Sequence, residues 1–306
     1  MSDKLVKIAT RKSALALWQA RHVKALLQQA YPGIEIELLK IVTEGDRITD
    51  RPLAKIGGKG LFLKELESAL LNGEADLAVH SMKDVPADMT AGLVVDVVLP
   101  RANPYDALVS RGNRTLAELP AGSRIGTSSL RRQALLLALR PDLQITDLRG
   151  NVDTRLKKLD EGLYDAIILA CAGLQRLGFG GRISEILDSP GWLPASTQGI
   201  IGLQCRADDS ETMKLIAPLA DQETSIVATA ERTVARVLEA TCQFPLAVHA
   251  VVHGGVIKLQ AVIGSTDGKE IVRVSAQAPV GEAVSLGERV AADMISRGAT
   301  RIIEAL

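Results

Sequence analysis

Short apolar segments with strand-like and helix-like spacing alternate along the first two thirds of this chain. Val6 and Ile8 alternate with polar residues as in a strand, and Ser13 is placed to cap a helix that ends near Pro32. The alternation continues with strands predicted at 34–38, 76–79, 93–99 and 107–110 and a helix predicted at 61–71. This pattern predicts a doubly wound α/β sheet, in which ligands bind beyond the carboxyl ends of the strands.

A second unit of the same kind follows, and the last third of the chain has a different pattern. Strands are predicted at 143–147 and 166–170, and helices at 129–140 and 152–161. Beyond them come a long helix at 224–240, a hairpin around 254–255, a turn at 265–268 and a helix at about 282–297. The sequence therefore predicts two α/β lobes followed by a small C-terminal α+β domain.

Arginines are concentrated locally in a chain whose 36 basic and 36 acidic residues balance. The six are Arg124, Arg131, Arg132, Arg140, Arg149 and Arg155, and in that stretch only Asp142, Asp147 and Asp153 oppose them. Several lie in loops that open predicted helices, where free backbone N–H groups also favour anions. Because guanidinium groups bind carboxylates and phosphates in a bidentate way, we predict a site for a small molecule with several such groups.

Composition argues against several other classes of protein. Aromatic residues make up 3% of the chain and the net charge is zero, which disfavours a nucleic-acid-binding surface. The apolar runs are too short to span a bilayer, and the N-terminal segment has no signal-peptide core. Three scattered cysteines indicate a reducing compartment. We therefore expect a cytoplasmic protein with no membrane or nucleic-acid partner.

One acidic residue stands out in the predicted loop 80–86. Asp84 is the only acid in that loop and is flanked by Lys83. A solvated turn is one interpretation of this pair. The other is a strand-end carboxylate that carries protons or stabilises a cation beside the basic cleft.

The cysteines and two histidines also allow more than one interpretation. Cys242 follows a helix, so it is either a small buried side chain or a nucleophile or covalent anchor. Cys171 and Cys205 are predicted to be packing residues. His249 and His253 would share one face of a strand, but no nearby acid completes a metal site, so we expect no metal.

Several segments together resemble the porphobilinogen deaminase family. They are residues 9–19 (ATRKSALALWQ), 58–67 (GKGLFLKELE), 76–86 (DLAVHSMKDVP), 126–132 (GTSSLRR) and 148–156 (LRGNVDTRL), with Glu231-Arg232 preceding 242–246 (CQFPL). Their order along nearly the whole chain makes the resemblance specific. It implies a transferase of heme biosynthesis, hydroxymethylbilane synthase, which condenses four porphobilinogen molecules head to tail with release of ammonia.

The resemblance also implies a domain organisation and a cofactor. Residues 1–100 with 200–218 would form the first lobe and residues 101–199 the second. Both would be similar to the lobes of periplasmic binding proteins, with the active site between them. Residues 219–306 would form the C-terminal domain, which carries a covalent dipyrromethane through a thioether to Cys242. The resemblance further suggests a monomer.

Individual site residues follow from the same resemblance. Asp84 would contact pyrrole N–H groups, stabilise cationic intermediates and move protons. Carboxylates of the cofactor would be bound by Lys83, Ser129, Arg131, Arg132 and Arg149, and those of the substrate by Arg11, Ser13, Arg149, Arg155 and Arg176. Lys55 and Lys59 would lie on a mobile loop over the cleft. No metal is implied, because the leaving group is an amine.

The chain departs from the family pattern at a few positions. Thr197 replaces a glycine, Gln204 replaces an acid, and Ala240-Thr241 replaces a glycine-rich pair before Cys242. Because glycine permits positive φ, the glycine replacements are expected to affect the hinge and the cofactor loop. The alternative to an enzyme is a two-lobed anion-binding or sensor protein. Binding of porphobilinogen without release of ammonia would favour that alternative.

Overall fold

The computed structural model describes residues 5–47, 63–188, 190–240 and 244–306. Its strands are β1 Val6–Arg11, β2 Ile36–Ile41, β3 Leu77–Ser81, β4 Leu93–Val98, β5 Asp106–Ser110, β6 Arg124–Gly126, β7 Gln144–Thr146, β8 Ala166–Ala170, β9 Glu185–Leu187, β10 Ile201–Arg206, β11 Leu246–His253, β12 Val256–Gly264 and β13 Ile271–Pro279. Its helices are α1 Ala14–Ala30, α2 Glu44–Arg47, α3 Lys64–Leu71, α4 Leu130–Leu139, α5 Val152–Asp160, α6 Cys171–Arg176, α7 Ser210–Ile216, α8 Gln222–Val237, α9 Ala283–Ser296 and α10 Ala299–Glu304. Within these ranges, no helix is both long enough and apolar enough to cross a membrane.

The predicted α/β alternation is confirmed, with differences in one loop and in the number of elements. Strand β3 continues to Ser81 and is followed by the 3₁₀ turn Met82–Asp84, so the predicted loop 80–86 is largely regular. The sequence analysis also did not predict the elements α2, α6, α7, α10, β9 and β10. Strand β10 is buried over most of its length, and a strand buried on both faces lacks the apolar–polar alternation that marks a half-exposed one.

Contacts divide the chain into two compact units, of which the first comprises Met1–Arg101 and Ile200–Ser225. Its sheet has the order β2-β1-β3-β10-β4, with β1 parallel to both neighbours and β10 antiparallel to both of its own. Helix α1 buries Val23 and Leu27 against one face of the sheet, and α3 buries Leu66 and Leu70 against the other. Both faces are therefore covered, as in a doubly wound fold.

The second unit comprises Ala102–Gly199 and Ile226–Leu306. Its first sheet has the order β7-β6-β8-β5-β9, with β6 parallel to β7 and β8 and with β5 antiparallel to β8 and β9. Helix α4 contributes Leu135 and Leu136 to one core of this sheet, and α5 contributes Leu156 and Leu159 to the other. The chain thus repeats the two-faced arrangement of the first unit. The predicted boundaries of three domains stay a prediction.

The C-terminal residues form the antiparallel sheet β11-β12-β13, which packs within the second unit. Ala247 and Val262 of this sheet belong to the same core as α4. Gln133 of α4 donates to the carbonyl of Thr266 at 3.0 Å. The turn there requires glycine, because Gly268 has φ of +73° and a Cβ would overlap the backbone of α4. The small α+β domain predicted from the sequence is therefore present.

A buried carboxylate joins three segments of the second unit. Glu231 of α8 is fully buried; its Oε2 accepts from the N–H of Thr197 at 2.5 Å and its Oε1 from the N–H of Ala250 at 2.7 Å. Thr197 has φ of +57°, a left-handed conformation that is rare for a β-branched residue. Glu231 thus holds the segment before β10 in a backbone conformation suited to the glycine of the family pattern.

Candidate active site

Asp84 lies at the carboxyl end of β3, in the 3₁₀ turn Met82–Asp84. Met82 is buried, and its N–H donates to the carbonyl of Ile200 at 3.0 Å. The side chains of Lys83 and Asp84 are half-buried. The turn therefore presents the ammonium of Lys83 and the carboxylate of Asp84 at the edge of the sheet. Its main chain is held by the hydrogen bond from Met82 to the buried Ile200.

The end of β1 brings two more predicted site residues to the same edge. Strands β1 and β3 are parallel neighbours, so their carboxyl ends meet at one edge of the sheet. Arg11 is the last residue of β1, and Ser13 caps α1 through its Oγ, which accepts from the N–H of Ala16 at 3.3 Å. Arg11, Ser13, Lys83 and Asp84 thus occupy one edge of the first unit.

A chain of polar side chains lies beside that edge, buried at His80 and Gln204, half-buried at Glu67 and exposed at Thr90. His80 Nε2 is 2.8 Å from Gln204 Oε1, Gln204 Nε2 donates to Glu67 Oε1 at 2.9 Å, and Thr90 Oγ1 donates to Glu67 Oε2 at 2.7 Å. Burial lowers the pKa of His80, and this effect exceeds the opposing influence of Gln204 and Glu67. Sequence analysis missed this chain, because its members come from four separate segments.

The second unit holds another group of predicted site residues, in the segments that follow β6 and β7. Ser128 Oγ donates to the carbonyl of Leu148 at 2.7 Å and accepts from its N–H at 3.1 Å, so the two segments are joined side by side. Ser129 caps α4, and Arg149 Nε donates to Asp147 Oδ2 at 3.2 Å. Ser129 and Arg149 therefore lie on adjoining segments.

Arg155 is held against the same segment by the main chain. Its Nε donates to the carbonyl of Gly150 at 2.7 Å, and Lys158 Nζ donates to the carbonyl of Arg149 at 3.0 Å. Gly150 has φ of +111°, and a Cβ there would lie 2.8 Å from the side chain of Thr154. Glycine therefore lets the chain turn closely enough to bring two arginines and a lysine together.

Arg131 and Arg132 are buried and share one carboxylate, that of Asp106. Oxygens of Asp106 accept from Arg131 Nη1 and Nη2 at 2.6 and 3.2 Å and from Arg132 Nε and Nη2 at 3.1 and 2.8 Å. Trp192 Nε1 and Gln198 Nε2 also donate to it, at 2.9 and 3.0 Å. Burial would raise the pKa of Asp106, but the two guanidinium groups outweigh burial and hold that pKa far below its usual range. Sequence analysis missed Asp106.

Arg176 ends α6 in the same unit. Its Nη2 donates to the carbonyl of Gly199 at 2.8 Å. Burial lowers the pKa of Arg176 to about 10, so the side chain is still cationic at neutral pH. The structure thus places Arg176 with Arg149 and Arg155 in the second unit, and Arg11 with Asp84 in the first.

The cysteines divide into two packing residues and one that lies outside the described part of the chain. Cys171 and Cys205 are buried, and burial raises the pKa of their thiols to about 12 and about 11. These thiols are therefore protonated at neutral pH, and their prediction as packing residues is confirmed. Cys242, Lys55 and Lys59 lie outside the described residues.

The helix that precedes Cys242 ends in a Schellman arrangement. The N–H of Glu239 donates to the carbonyl of Arg236 at 3.0 Å, and that of Ala240 to the carbonyl of Ala235 at 2.8 Å. Glu239 has φ of +50°, at the position where glycine is usual. The end of α8 is thus well defined, although its left-handed residue carries a side chain.

The two histidines weighed as metal ligands have different surroundings. His249 is buried and packs edge to face against Tyr105 with 5.6 Å between ring centres, whereas His253 is exposed at the hairpin. In the part of the chain that the structure describes, no cluster of three or more His, Cys, Asp or Glu side chains is arranged to hold a metal.

Sequence comparison identifies the family to which this arrangement belongs. Residues 6–214 match the family described as porphobilinogen deaminase, dipyromethane cofactor binding domain, and residues 225–296 match porphobilinogen deaminase, C-terminal domain. Together they span most of the chain, and the chain belongs to the porphobilinogen deaminase family. It is a hydroxymethylbilane synthase, a transferase that condenses four porphobilinogen molecules head to tail with release of ammonia, primed by covalent dipyrromethane, in tetrapyrrole biosynthesis.

Structural comparison finds more distant likenesses. The periplasmic VFT2 domain of Bordetella pertussis BvgS is 18% identical, with 69% of this chain and 85% of that one covered and a TM-score of 0.40. The aliphatic sulphonate binding protein SsuA of Escherichia coli is 18% identical, with 78% and 71% covered and a TM-score of 0.39. Reduced OxyR of N. meningitidis is 13% identical, with 71% and 94% covered and a TM-score of 0.43.

The donors in the second unit suit a polyanionic cofactor. Among the described residues, the only side-chain hydrogen bond of Arg149 is the one from Nε to Asp147, so its Nη groups can still donate to a carboxylate. Ser129 lies on the adjoining segment, at the N-terminus of α4, where a negative charge is favoured. The chemistry of these side chains therefore fits the carboxylate arms of dipyrromethane.

Proposed function

We propose that Asp84 is the catalytic carboxylate of this enzyme. The observation that carries the proposal is its position: a half-buried carboxylate on an anchored turn at the end of β3, at the same sheet edge as Lys83 and Arg11. A carboxylate held in this way stabilises a developing positive charge without reorganising first. The cations beside it would bind the acidic arms of the same substrate.

Positive charge develops on the substrate when ammonia leaves porphobilinogen. Asp84 would accept hydrogen bonds from the pyrrole N–H groups and oppose this charge. It would also receive the proton that is released once the new carbon–carbon bond has formed. Because the positive charge moves from the leaving ammonium group onto the pyrrole ring, the ring carries more of it in the transition state than in bound porphobilinogen. Asp84, which faces the ring N–H groups, would therefore raise kcat more than it lowers KM.

We assign the remaining side chains to carboxylate binding. Porphobilinogen has acetate and propionate arms, so a growing chain accumulates carboxylates that pair with guanidinium groups. The proposed substrate ligands are Arg11, Ser13, Arg149, Arg155 and Arg176, and the proposed cofactor ligands are Lys83, Ser129, Arg131, Arg132 and Arg149. A carboxylate that binds Arg131 or Arg132 would share them with Asp106, which already occupies both guanidinium groups.

The dipyrromethane, linked to Cys242, would supply the nucleophilic pyrrole carbon that starts the chain. The residues of the protein would orient it: Arg149 through its Nη groups and Ser129 at the helix N-terminus. Lys55 and Lys59 would cover the bound chain. We further propose that the enzyme works as a cytoplasmic monomer without a membrane partner, the monomer being what the family resemblance suggests. Zero net charge and 3% aromatic residues argue against a nucleic-acid partner.

The test compares Asp84→Asn with the wild-type enzyme. The amide keeps the shape of the side chain but carries no negative charge, so kcat for ammonia release should fall at least about 100-fold. The free energy of unfolding in urea should change little, because Asp84 is only half-buried. The matched control is Asp88→Asn, a loss of one charge from an exposed position on the same loop. Near-normal turnover by Asp84→Asn would refute the assignment.

A further inference from the structure

The orientation of the Gln204 side chain is fixed by its neighbour on α3. A carboxylate only accepts hydrogen bonds, so the Gln204 amide must direct its NH₂ group toward Glu67. Thr90 donates to the other oxygen of the same carboxylate, which identifies Glu67 as the acceptor of both bonds. The carbonyl oxygen of Gln204 is therefore the group that faces His80.

That orientation decides where the imidazole proton lies. A carbonyl oxygen cannot donate, so His80 must donate to it from Nε2, and the neutral ring then carries no proton on Nδ1. Among the described residues, the bond to Gln204 is the only hydrogen bond that the ring makes. His80 is 6% exposed, so water does little to stabilise a charged ring.

The ring lies close to the proposed catalytic carboxylate. The 3₁₀ turn that carries Asp84 follows β3 directly, and the parallel register of β1 with β3, continued by two residues, sets Arg11 opposite His80. Within the part of the chain that the structure describes, the charged groups that act on His80 are Glu67 from α3, Arg11 from β1 and Asp84 from the turn. Strand β10 contributes only the neutral Gln204.

We propose that Gln204 is a positioning residue. Its carbonyl fixes His80 in the Nε2–H form and, being a neutral acceptor rather than a carboxylate, it lets burial keep the ring uncharged, so that no imidazolium adds to the cations around Asp84. A protonated imidazole next to Asp84 would partly neutralise it and would repel the cationic substrate intermediate. The inference rests on the proposed role of Asp84. The inference adds a second residue to the support of Asp84: the side chain of Gln204 on β10, which itself does not touch the substrate.

Gln204→Glu tests this link, because it places a carboxylate where His80 now meets a neutral carbonyl. An opposite charge at hydrogen-bond distance should raise the pKa of His80 by about one unit or more. The acid limb of kcat should then move to higher pH, with about tenfold less activity on that limb for each unit. KM should change little, and the two enzymes should converge at alkaline pH.

Nitrogen NMR of the holoenzyme gives a readout that does not depend on turnover. The chain has four histidines, and His80→Gln identifies the resonances of His80. In the wild-type enzyme we expect an Nε2–H tautomer that titrates below the ordinary histidine range. In Gln204→Glu we expect the titration of His80 at higher pH. The control is Gln28→Glu, the same chemical change at an exposed position of α1, which should leave His80 and the pH profile unchanged.

Two results would overturn the inference. One is a wild-type His80 that is charged at pH 7 or carries its proton on Nδ1, and this needs no variant to fold. The other is a Gln204→Glu enzyme in which the pKa of His80 is raised but the acid limb of kcat stays at the same pH as in the wild-type enzyme. A wrong role for Asp84 would give a different result from a wrong role for Gln204. If Asp84 is not catalytic, Asp84→Asn releases ammonia at the normal rate, whatever the protonation state of His80.

Discussion

Asp106 accepts hydrogen bonds from both terminal nitrogens of Arg131, at 2.6 and 3.2 Å, and both side chains are buried. Arg132 shares the same carboxylate, so two cations of α4 face one anion of β5. The negative charge of Asp106 therefore compensates part of the arginine concentration that we propose binds anionic ligands. Arg131 and Arg132 therefore already have a counter-ion inside the second unit without a bound ligand.

Asp106→Asn should strongly destabilise the protein. The substitution leaves two buried guanidinium groups without a counter-ion, and breaking a buried ion pair on one side costs about 3–5 kcal/mol. Urea unfolding measures the difference. The control is Asp160→Asn, which removes a charge from the exposed pair with Arg182 and should have only a small effect. Equal stability of wild type and Asp106→Asn would contradict the importance of the cluster.

Thr197→Gly should stabilise the protein by roughly 1 kcal/mol. The left-handed conformation costs a residue with a side chain about 1–2 kcal/mol, and the greater freedom of glycine in the unfolded chain offsets part of the gain. Thermal and urea unfolding check the direction. Thr146→Gly is the control: the same change in strand β7 should destabilise, because no strained backbone is relieved there.

Glu239→Gly should also stabilise, by up to about 1 kcal/mol, because glycine takes the left-handed position of a Schellman motif without a Cβ penalty. Glu223→Gly, in the first turn of the same helix, should destabilise by a similar amount. Urea midpoints of the two variants should therefore move in opposite directions. A lower midpoint for Glu239→Gly would show that its side chain makes a compensating contact.

Stability should decline as pH falls below the ordinary histidine pKa of about 6.5. His80 has a lowered pKa in the folded state, so the unfolded chain binds a proton that the folded protein does not. Over the pH range between the two pKa values, this group can cost at most about 1.4 kcal/mol per pH unit. Urea unfolding at pH 7.5 and 5.5 should show a smaller decline for His80→Gln than for wild type; identical declines would exclude His80 as the cause.

Arg149→Leu should stall cofactor assembly or chain extension, because a carboxylate loses its bidentate partner. Intact-protein mass spectrometry with peptide mapping should show two linked pyrrole units on Cys242 in the wild-type enzyme. In the variant, the cofactor mass or the later substrate adducts should be missing. The control is Arg182→Leu, which removes an arginine paired with Asp160 elsewhere in the unit. This variant should retain both the cofactor mass and the substrate adducts. A wild-type pattern of adducts in Arg149→Leu would contradict its role.

Local features were predictable from sequence, because they depend on residues that are close in the chain. Ser13 and Ser129 were identified at helix starts, and both cap helices in the structure. The buried strand at 166–170 was predicted with its observed bounds. In each case the signal is a capping side chain or an apolar run, which local spacing reveals.

Pairings between distant segments were not predictable. His80 and Gln204 are 124 residues apart, and they meet only because β10 returns antiparallel beside β3. Asp106 and Arg131 are 25 residues apart and come from a strand and a helix that pack together. One sequence contains no signal for such neighbours, so both the counter-ion of the arginines and the partner of the histidine required the fold.

The bond from Trp192 Nε1 to Asp106 gives the protein an optical reporter within its buried ion cluster. The chain has only two tryptophans, and the other, Trp18, belongs to the first unit and stacks on His22. In a Trp18→Phe background, fluorescence would therefore come from Trp192 alone. A red shift of that emission would signal water reaching the cluster, and it would let the loosening of the second unit be followed separately from turnover.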